Sequence, residues 1–447
     1  MIQKKGSPYL TTFVALVVTT IFNNTAVAYE FDKVMPESVG YSSAKLVGAD
    51  ATLKKLYADG RIPNYVLNLY KDGKLFYTAS EGRTNLTDGQ KVDGDTIYHL
   101  ASMSKPMVTS AGFRLVDQGK INLDDKLSKY FPEFANMMVA PEGNFKNQFE
   151  PAKREITVLD LMTHTSGFTY PTFLAGFNDV SRTYEEAGVF SGGKTLDANM
   201  LLLSEVPLKA HPGEQFNYSV SLDVLGALIE RVTGQSLADY LDSSIFTPLE
   251  MKDTFFILDP SKVEKTSTVY GVGFNGYGFD KKPIKLLGKQ SDAPDAIDWK
   301  IGTVIPAASL TRTPLWFSGG GGLIGSANDY ARYLSMIAHD GTIDGKQVLT
   351  KESAHKQIES LVDLDFEAMR ESFGDAYDFI TFGGGFGIKR EPDNREVTDY
   401  IFWGGLFNTF FWFDPKDNTI GVFLTSHMPA VYNLSDDIEQ IVDDARL

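Results

Sequence analysis

The sequence predicts an α/β fold: an antiparallel sheet flanked by helices, formed by both ends of the chain, with a mainly helical region inserted between them. Three observations predict it. "NYVLNLYKDGKLFYTASEG", beginning at Asn64, reads as two strands joined by Asp72-Gly73, a dipeptide that suits a tight hairpin turn with positive φ. "YIFWGGLFNTFFWFDPKDNTIGVFLTS", beginning at Tyr400, is again dense in aromatic and β-branched residues, with turn chemistry at Asp414-Pro415 and Asp417-Asn418. Between these regions the apolar spacing is helical in "KPMVTSAGFRLVDQG", "TVLDLMTHTSG" and "SLDVLGALIERVTG", the last two closing on glycine as a C-terminal stop.

Taken in order, the chain opens with Lys4 and Lys5, an apolar run over 9–22 and the small-residue pattern "NNTAVA" ending at Ala28. This reads as a removable secretory signal over 1–28, so the mature protein is expected to be exported, periplasmic or secreted, with no stable membrane insertion once the signal is gone. The apolar run is short for a membrane span and is interrupted by four threonines. Residues 29–447 then form one domain, with a sheet-bearing part at about 29–97 and 307–447 and a helical part at about 98–306. "SGGGGLIGSANDYARYLSMIAHDG" marks the return to the sheet, its glycine run making a tight strand-to-helix turn and Ser326 or Asn328 starting a helix that ends before Gly341. The final "NLSDDIEQIVDDARL" is a helix with Asn433 or Ser435 as N-cap. Two loops without periodicity, at about 141–154 and 271–298, are placed to cover a cleft.

Composition excludes several classes of function. The absence of cysteine removes disulfides, thiol catalysis and Cys-zinc sites. The net charge is −16, and it becomes −18 once Lys4 and Lys5 leave with the signal, since 42 basic residues fall to 40 against 58 acidic ones. Such a surface repels phosphate backbones and anionic membranes, so nucleic acid is not expected as a partner. There is no G-x-S-x-G elbow, no H-E-x-x-H, and the six histidines are scattered, so neither an α/β-hydrolase nor a metal site is expected.

The chemistry centres on S-x-x-K, which occurs four times: Ser42/Lys45, Ser102/Lys105, Ser191/Lys194 and Ser353/Lys356. Only the Ser102 copy follows a strand-like approach, "TIYHLA", and opens a long amphipathic helix, where the spacing puts both side chains on one face. A serine hydroxyl needs a base within hydrogen-bond reach to attack an acyl group. Lysine can serve if burial and positive potential, such as a helix N-terminus supplies, favour its neutral form. By itself the segment fits equally a nucleophile with its base and a plain N-cap beside an exposed lysine.

"ASMSKPM" resembles the S-x-x-K motif of serine β-lactamases, penicillin-binding proteins and their esterase relatives. The resemblance continues in order through "ITVLDLMTHTSG", "HPGEQFNYSVSLDVLGALIERVTG", "GGGGLIGSANDYARYLSMI" and "WGGLFNTFFWFDP", over nearly the whole mature chain. It implies a β-lactamase/transpeptidase-like fold and a Ser102 nucleophile with Lys105 as proton partner. Tyr218 in "NYSVS" matches the tyrosine of the family's Y-x-N motif, but Val220 stands where lactamases have Asn. In place of the lactamase K-T-G stands Trp403-Gly404-Gly405, which looks like the W-G-G of class C-related, family VIII carboxylesterases. "GKTL" at Gly193 precedes Tyr218 and lacks the final glycine, so it does not fill that place.

By that match the N–H groups of Ser102 and Leu406 form the oxyanion hole, and Trp403, Gly404 and Gly405 line the substrate site. His164 in "MTHTSG" belongs to a structural signature of the family and not to a Ser-His dyad. The resemblance thus implies a carboxylesterase acting on a small ester or amide through an acyl-enzyme, with no cofactor and no metal. Its alternatives are a β-lactamase, a D-amino-acid peptidase or an acyltransferase on the same fold, and a non-catalytic peptidoglycan-binding protein.

Overall fold

The computed structural model describes residues 30–141, 144–145, 149–172, 178–190, 193–271, 305–362, 380–391, 393–428 and 434–447. The expected signal at 1–28, nearly all of the 271–298 loop and parts of the 141–154 loop lie outside them.

Seven strands form one sheet: β1 (Asn64–Lys71), β2 (Lys74–Gly82), β3 (Ile380–Phe382), β4 (Gly387–Glu391), β5 (Asn394–Gly405), β6 (Thr409–Asp414) and β7 (Thr419–Leu424). Their order is β3-β4-β5-β6-β7-β1-β2, and every neighbouring pair is antiparallel. The N-terminal hairpin therefore adds directly to the C-terminal strands, Val66 facing Leu424 and Lys71 facing Thr419. Its loop is two residues, Asp72 at φ 47° and Gly73 at φ 72°, the doubly left-handed turn whose twist matches that of the strands.

Ten helices surround the sheet among the described residues: α1 (Ser43–Ala58), α2 (Ser104–Asp117), α3 (Val158–Met162), α4 (Asp179–Ala187), α5 (Leu196–Ser204), α6 (Ser221–Thr233), α7 (Leu237–Leu241), α8 (Ala327–Ala338), α9 (Lys351–Ile358) and α10 (Leu434–Asp444). Strand alternation divides the core into two layers. Tyr65, Leu67, Phe410, Trp412 and Phe423 pack with Leu46 and Leu53 of α1 and Ile438 and Val442 of α10. Val66, Phe411, Phe413 and Val422 point the other way, to Tyr330 of α8 and the main core that includes α2 and α6. Gly421 faces Trp412 across the β6/β7 ladder, and a Cβ there would stand 2.1 Å from the indole, so glycine is what lets the tryptophan lie flat on its neighbour.

Several local expectations change. Helix α2 is not amphipathic, since every residue from Ser104 to Phe113 is buried. It runs between α6, α7 and α9, so no side faces water there. Helix α3 stops at Met162, short of the glycine expected to end it, because His164 takes a left-handed φ of 56°. Helix α6 does end on Gly234, at φ 69°. Ser326 caps α8 by accepting the Asp329 N–H, which leaves Asn328 inside the helix. Ser435 likewise lies inside α10, and Asn433 lies outside the described residues. No helix among the described residues is long and apolar enough to cross a membrane.

Candidate active site

Ser102 sits in a 3-10 turn, Ala101–Met103, between the short strand Tyr98–His99 and α2. The strand is held by pairing with Ile324–Gly325. Ala101 turns the chain with a left-handed φ of 46°, a conformation that costs an alanine about 1 kcal/mol or more. The turn is clamped from three directions: Ser104 Oγ donates to Ala101 O at 2.7 Å, Leu323 N donates to Ser104 Oγ at 3.0 Å, and Tyr330 Oη donates to Met103 O at 2.9 Å. Ser102 is not an N-cap, for α2 begins two residues later and has no side-chain cap.

The other S-x-x-K copies have ordinary duties. Ser42 caps α1 by accepting the Lys45 N–H, while the Lys45 ammonium reaches Asp444 O. Ser353 lies in α9 and donates to Asp117, with Lys356 paired to Glu352 at the surface. Ser191 lies outside the described residues.

Lys105 is fully buried. Its Nζ donates to Ser102 Oγ at 3.0 Å and to Gly320 O at 2.5 Å, and it stands 4.6 Å from the centre of the Tyr218 ring and 5.8 Å from that of Tyr170. The structure thus brings Ser102, Lys105 and Tyr218 together from segments more than a hundred residues apart. Tyr218 precedes α6 in a segment pinned to the "HTSG" loop. Asn217 N donates to His164 O at 2.8 Å, Ser219 N to His164 Nδ1 at 3.2 Å, and the Ser221 and Ser166 hydroxyls pair at 2.7 Å. Gly167, at φ 83°, lets this loop press on its other neighbour, since a Cβ there would meet Ala210 O at 2.1 Å. Burial, reinforced by the Lys105 charge, pushes the His164 imidazole well below its ordinary range. A neutral ring that accepts at Nδ1 carries its proton on Nε2, so His164 holds the tyrosine segment in place.

Trp403-Gly404-Gly405 ends β5, and a three-residue turn, Leu406 to Asn408, leads into β6. Asn408 adopts φ 62° and donates from its N–H to Gly405 O at 3.1 Å, which closes the hairpin. Gly405 lies against the strand-to-turn segment that carries Ser102. A Cβ on it would stand 2.4 Å from Leu100 O, and Thr409 Oγ1 donates to that same carbonyl at 3.4 Å. Leu406 packs beside Ala101 in a small apolar cluster with Phe407, Val269 and Met428. Trp403 is buried, its ring 5.5 Å from that of Tyr218 and 5.2 Å from that of Phe382. The wall beside Lys105 and Tyr218 is therefore aromatic.

Four contributors were not singled out from sequence: Tyr170, Asp223, Ser318 and Gly320. Asp223, in the first turn of α6, is buried, and its Oδ1 accepts from Ser318 Oγ at 2.6 Å and from Gly320 N at 3.0 Å. Burial pushes its carboxyl up, opposed by those two hydrogen bonds and by the Lys105 charge. Tyr170 is pushed well up by burial and by its neighbours Tyr218 and Asp223. The glycine run at 319–322 is a turn, as expected, but it leads first into the strand Ile324–Gly325, and it delivers a backbone carbonyl to the lysine. An acidic residue interrupting the apolar spacing of "SLDVLGALIE" was the available signal.

The beta-lactamase family model matches residues 49–444. The chain belongs to the beta-lactamase family. It is similar to Esterase EstB of Burkholderia gladioli, 31% identical over 309 residues that cover 68% of this chain and 72% of the esterase. Among solved structures it is similar to EstCE1, described as a hydrolase with promiscuous acyltransferase activity, with a TM-score of 0.69 at 23% identity, covering 90% of this chain and 98% of that one. The simvastatin synthase LovD of Aspergillus terreus aligns with a TM-score of 0.68 at 20% identity, covering 90% and 98%. These neighbours share the β-lactamase/transpeptidase fold, and the chain is a serine hydrolase of that fold. Val220, at the position that the resemblance matches to the lactamase Asn, is buried in the main core and offers no amide to a substrate.

Proposed function

We propose that this chain is an exported carboxylesterase that cleaves small neutral esters through an acyl-enzyme on Ser102. The observation that carries the reading is the fully buried Lys105, its Nζ 3.0 Å from Ser102 Oγ, with Tyr218 beside it. In this mechanism the Lys105/Tyr218 pair enters one proton short of ammonium plus phenol, and Ser102 attacks the ester carbonyl while its proton fills that place. The N–H groups of Ser102 and Leu406 stabilise the oxyanion, and the alcohol leaves with the proton returned by the same pair. Water then enters by the reverse path and releases the acid, restoring Ser102. Trp403 beside Tyr218 gives the substrate an apolar wall where a carboxylated lactam would need a cation, which supports a neutral ester. The name of EstB points the same way. An acidic surface with net charge −16 suits a small-molecule partner and not nucleic acid.

Acyl transfer to an alcohol is the second reading, favoured by EstCE1 and LovD, because hydrolysis and transfer share the acyl-enzyme and differ only in what attacks it. The test is a short-chain p-nitrophenyl ester, a chromogenic cephalosporin and an alcohol acceptor run side by side on pure protein. Ester turnover abolished in Ser102→Ala is expected. Unchanged turnover in that variant, or rapid cephalosporin cleavage without ester cleavage, would overturn the proposal.

A further inference from the structure

We propose that Asp223 is a positioning residue that sets the Ser102/Lys105 geometry through the glycine turn; this rests on the proposed Ser102 mechanism. The path is continuous. Asp223 Oδ1 accepts the Gly320 N–H at 3.0 Å, the carbonyl of that same glycine accepts from Lys105 Nζ at 2.5 Å, and Nζ reaches Ser102 Oγ at 3.0 Å. Ser318 Oγ, donating to the same carboxylate oxygen at 2.6 Å, fixes the other side of the turn, and Ser318 O in turn accepts the Gly322 N–H at 2.9 Å.

The glycines make this closeness possible. A Cβ on Gly319 would stand 2.2 Å from Leu222 O, and one on Gly320 would stand 2.7 Å from Asp223 Oδ2 and 3.2 Å from Tyr170 Oη. The turn is therefore pressed onto the first turn of α6, with one carboxylate oxygen as its anchor. A surface aspartate at that position would serve the helix dipole at little cost, whereas burying one is costly unless donors compensate it. Here the Ser318 hydroxyl and the Gly320 N–H, both from the turn that holds the lysine, supply that compensation ahead of Asp223's own backbone. What the arrangement determines is where the Gly320 carbonyl points, and hence where Nζ rests relative to the nucleophile.

The test compares Asp223→Ala and Asp223→Asn with wild type, normalising turnover to the Ser102 that a fluorophosphonate labels at completion. Asparagine keeps a carbonyl oxygen able to accept both hydrogen bonds, so its kcat should stay within about threefold of wild type. Alanine leaves the turn unanchored, and kcat should fall by roughly 30- to 100-fold with KM unchanged, as a small misplacement of a reacting group does. If alanine fails to fold, Ser318→Ala, which removes one of the two donors, should lower kcat by about fivefold in the same manner. Wild-type turnover per labelled serine in Asp223→Ala, or in Ser318→Ala where that variant stands in, would overturn the proposal. So would an asparagine variant as impaired as alanine, or a loss that appears only in KM. Ester turnover surviving in Ser102→Ala would instead overturn the assignment of the nucleophile, and this proposal with it.

Discussion

Two adjacent glycines in Trp403-Gly404-Gly405 should respond in opposite ways to the same added methyl group. At Gly405 a Cβ would stand 2.4 Å from Leu100 O and 2.3 Å from Thr409 Oγ1. Relaxed C···O contacts begin at about 3.3 Å, so the hairpin tip would have to retreat by about 0.9 Å from the segment carrying Ser102. Thr409 can rotate its hydroxyl aside, but Leu100 O is backbone, clamped two residues before the nucleophile, and cannot. In the proposed mechanism a retreat of that size takes the Leu406 N–H out of reach of the oxyanion at Ser102, and loss of one such donor lowers kcat by about 100-fold or more. At Gly404, by contrast, a Cβ would meet only Thr409 O at 3.4 Å and Phe410 Cβ at 3.9 Å, which is ordinary contact. Gly404→Ala should therefore keep kcat within about twofold, its new methyl meeting no more than van der Waals neighbours. The assay is p-nitrophenyl butyrate hydrolysis, with thermal unfolding and near-UV circular dichroism to show that both variants are folded. A folded Gly405→Ala with kcat within about threefold of wild type would refute the placement of Leu406 in the oxyanion hole. Equal losses in the two variants would refute it as well.

The remaining predictions concern stability. Burial pushes the His427 imidazole down to about 3, whereas in the unfolded chain it takes a proton near pH 6.5. The folded state then binds fewer protons, so this stabilisation is complete above about pH 6.5 and is lost as pH falls towards 3, reaching about 2 kcal/mol by pH 5. Asp329, whose carboxyl burial pushes up to about 7, acts with the opposite sign over the same range, so the difference between wild type and His427→Gln is the informative quantity. Urea unfolding at about pH 7.5 and about pH 5 should show the variant losing about 2 kcal/mol less than wild type, and equal losses would count against a neutral His427. Ser42→Ala removes the cap of α1 and should cost about 1 kcal/mol of stability with turnover untouched, and any loss of kcat would mean that this S-x-x-K copy has more than a capping role.

What the sequence made legible was local. The Asp72-Gly73 hairpin, the Ser326 cap and the Gly234 stop each depend on residues within one turn of each other, and each stands where the pattern placed it. That both chain ends share one sheet also followed from their composition, but the β1/β7 register did not, because it depends on contacts across about 350 residues. The amphipathic reading of α2 failed for a related reason. "SKPMVTSAGFRLVD" carries small and polar residues that suggest an exposed face, and a helix packed on several sides uses the same residues for close approach. Thr109 Oγ1 donates back to Lys105 O and Ser110 Oγ to Gln357, so their polar groups are satisfied inside the core.

The site divides along the same line. S-x-x-K named Ser102 and Lys105, yet the tetrapeptide recurs at Ser42 and Ser353, where it makes a cap and a surface pair. What separates the copies is that Lys105 is buried and reaches its own serine as well as a carbonyl 215 residues away, whereas Lys45 is exposed and turns to Asp444 O, and Lys356 pairs with Glu352. Asp223 was hidden for the mirror-image reason. An acidic residue in the first turn of a helix is the commonest of dipole partners, and a glycine run is ordinary turn chemistry, so each has a sufficient local explanation. Only when the turn is laid against α6 do the two explanations become insufficient together, because a buried carboxylate and the closely pressed Gly319 and Gly320 are then seen to serve one hydrogen-bonded path that ends on the nucleophile. The residues least legible in a catalytic centre are thus those whose local pattern already has a commonplace use, and in this chain they are the ones that hold the lysine where the chemistry needs it.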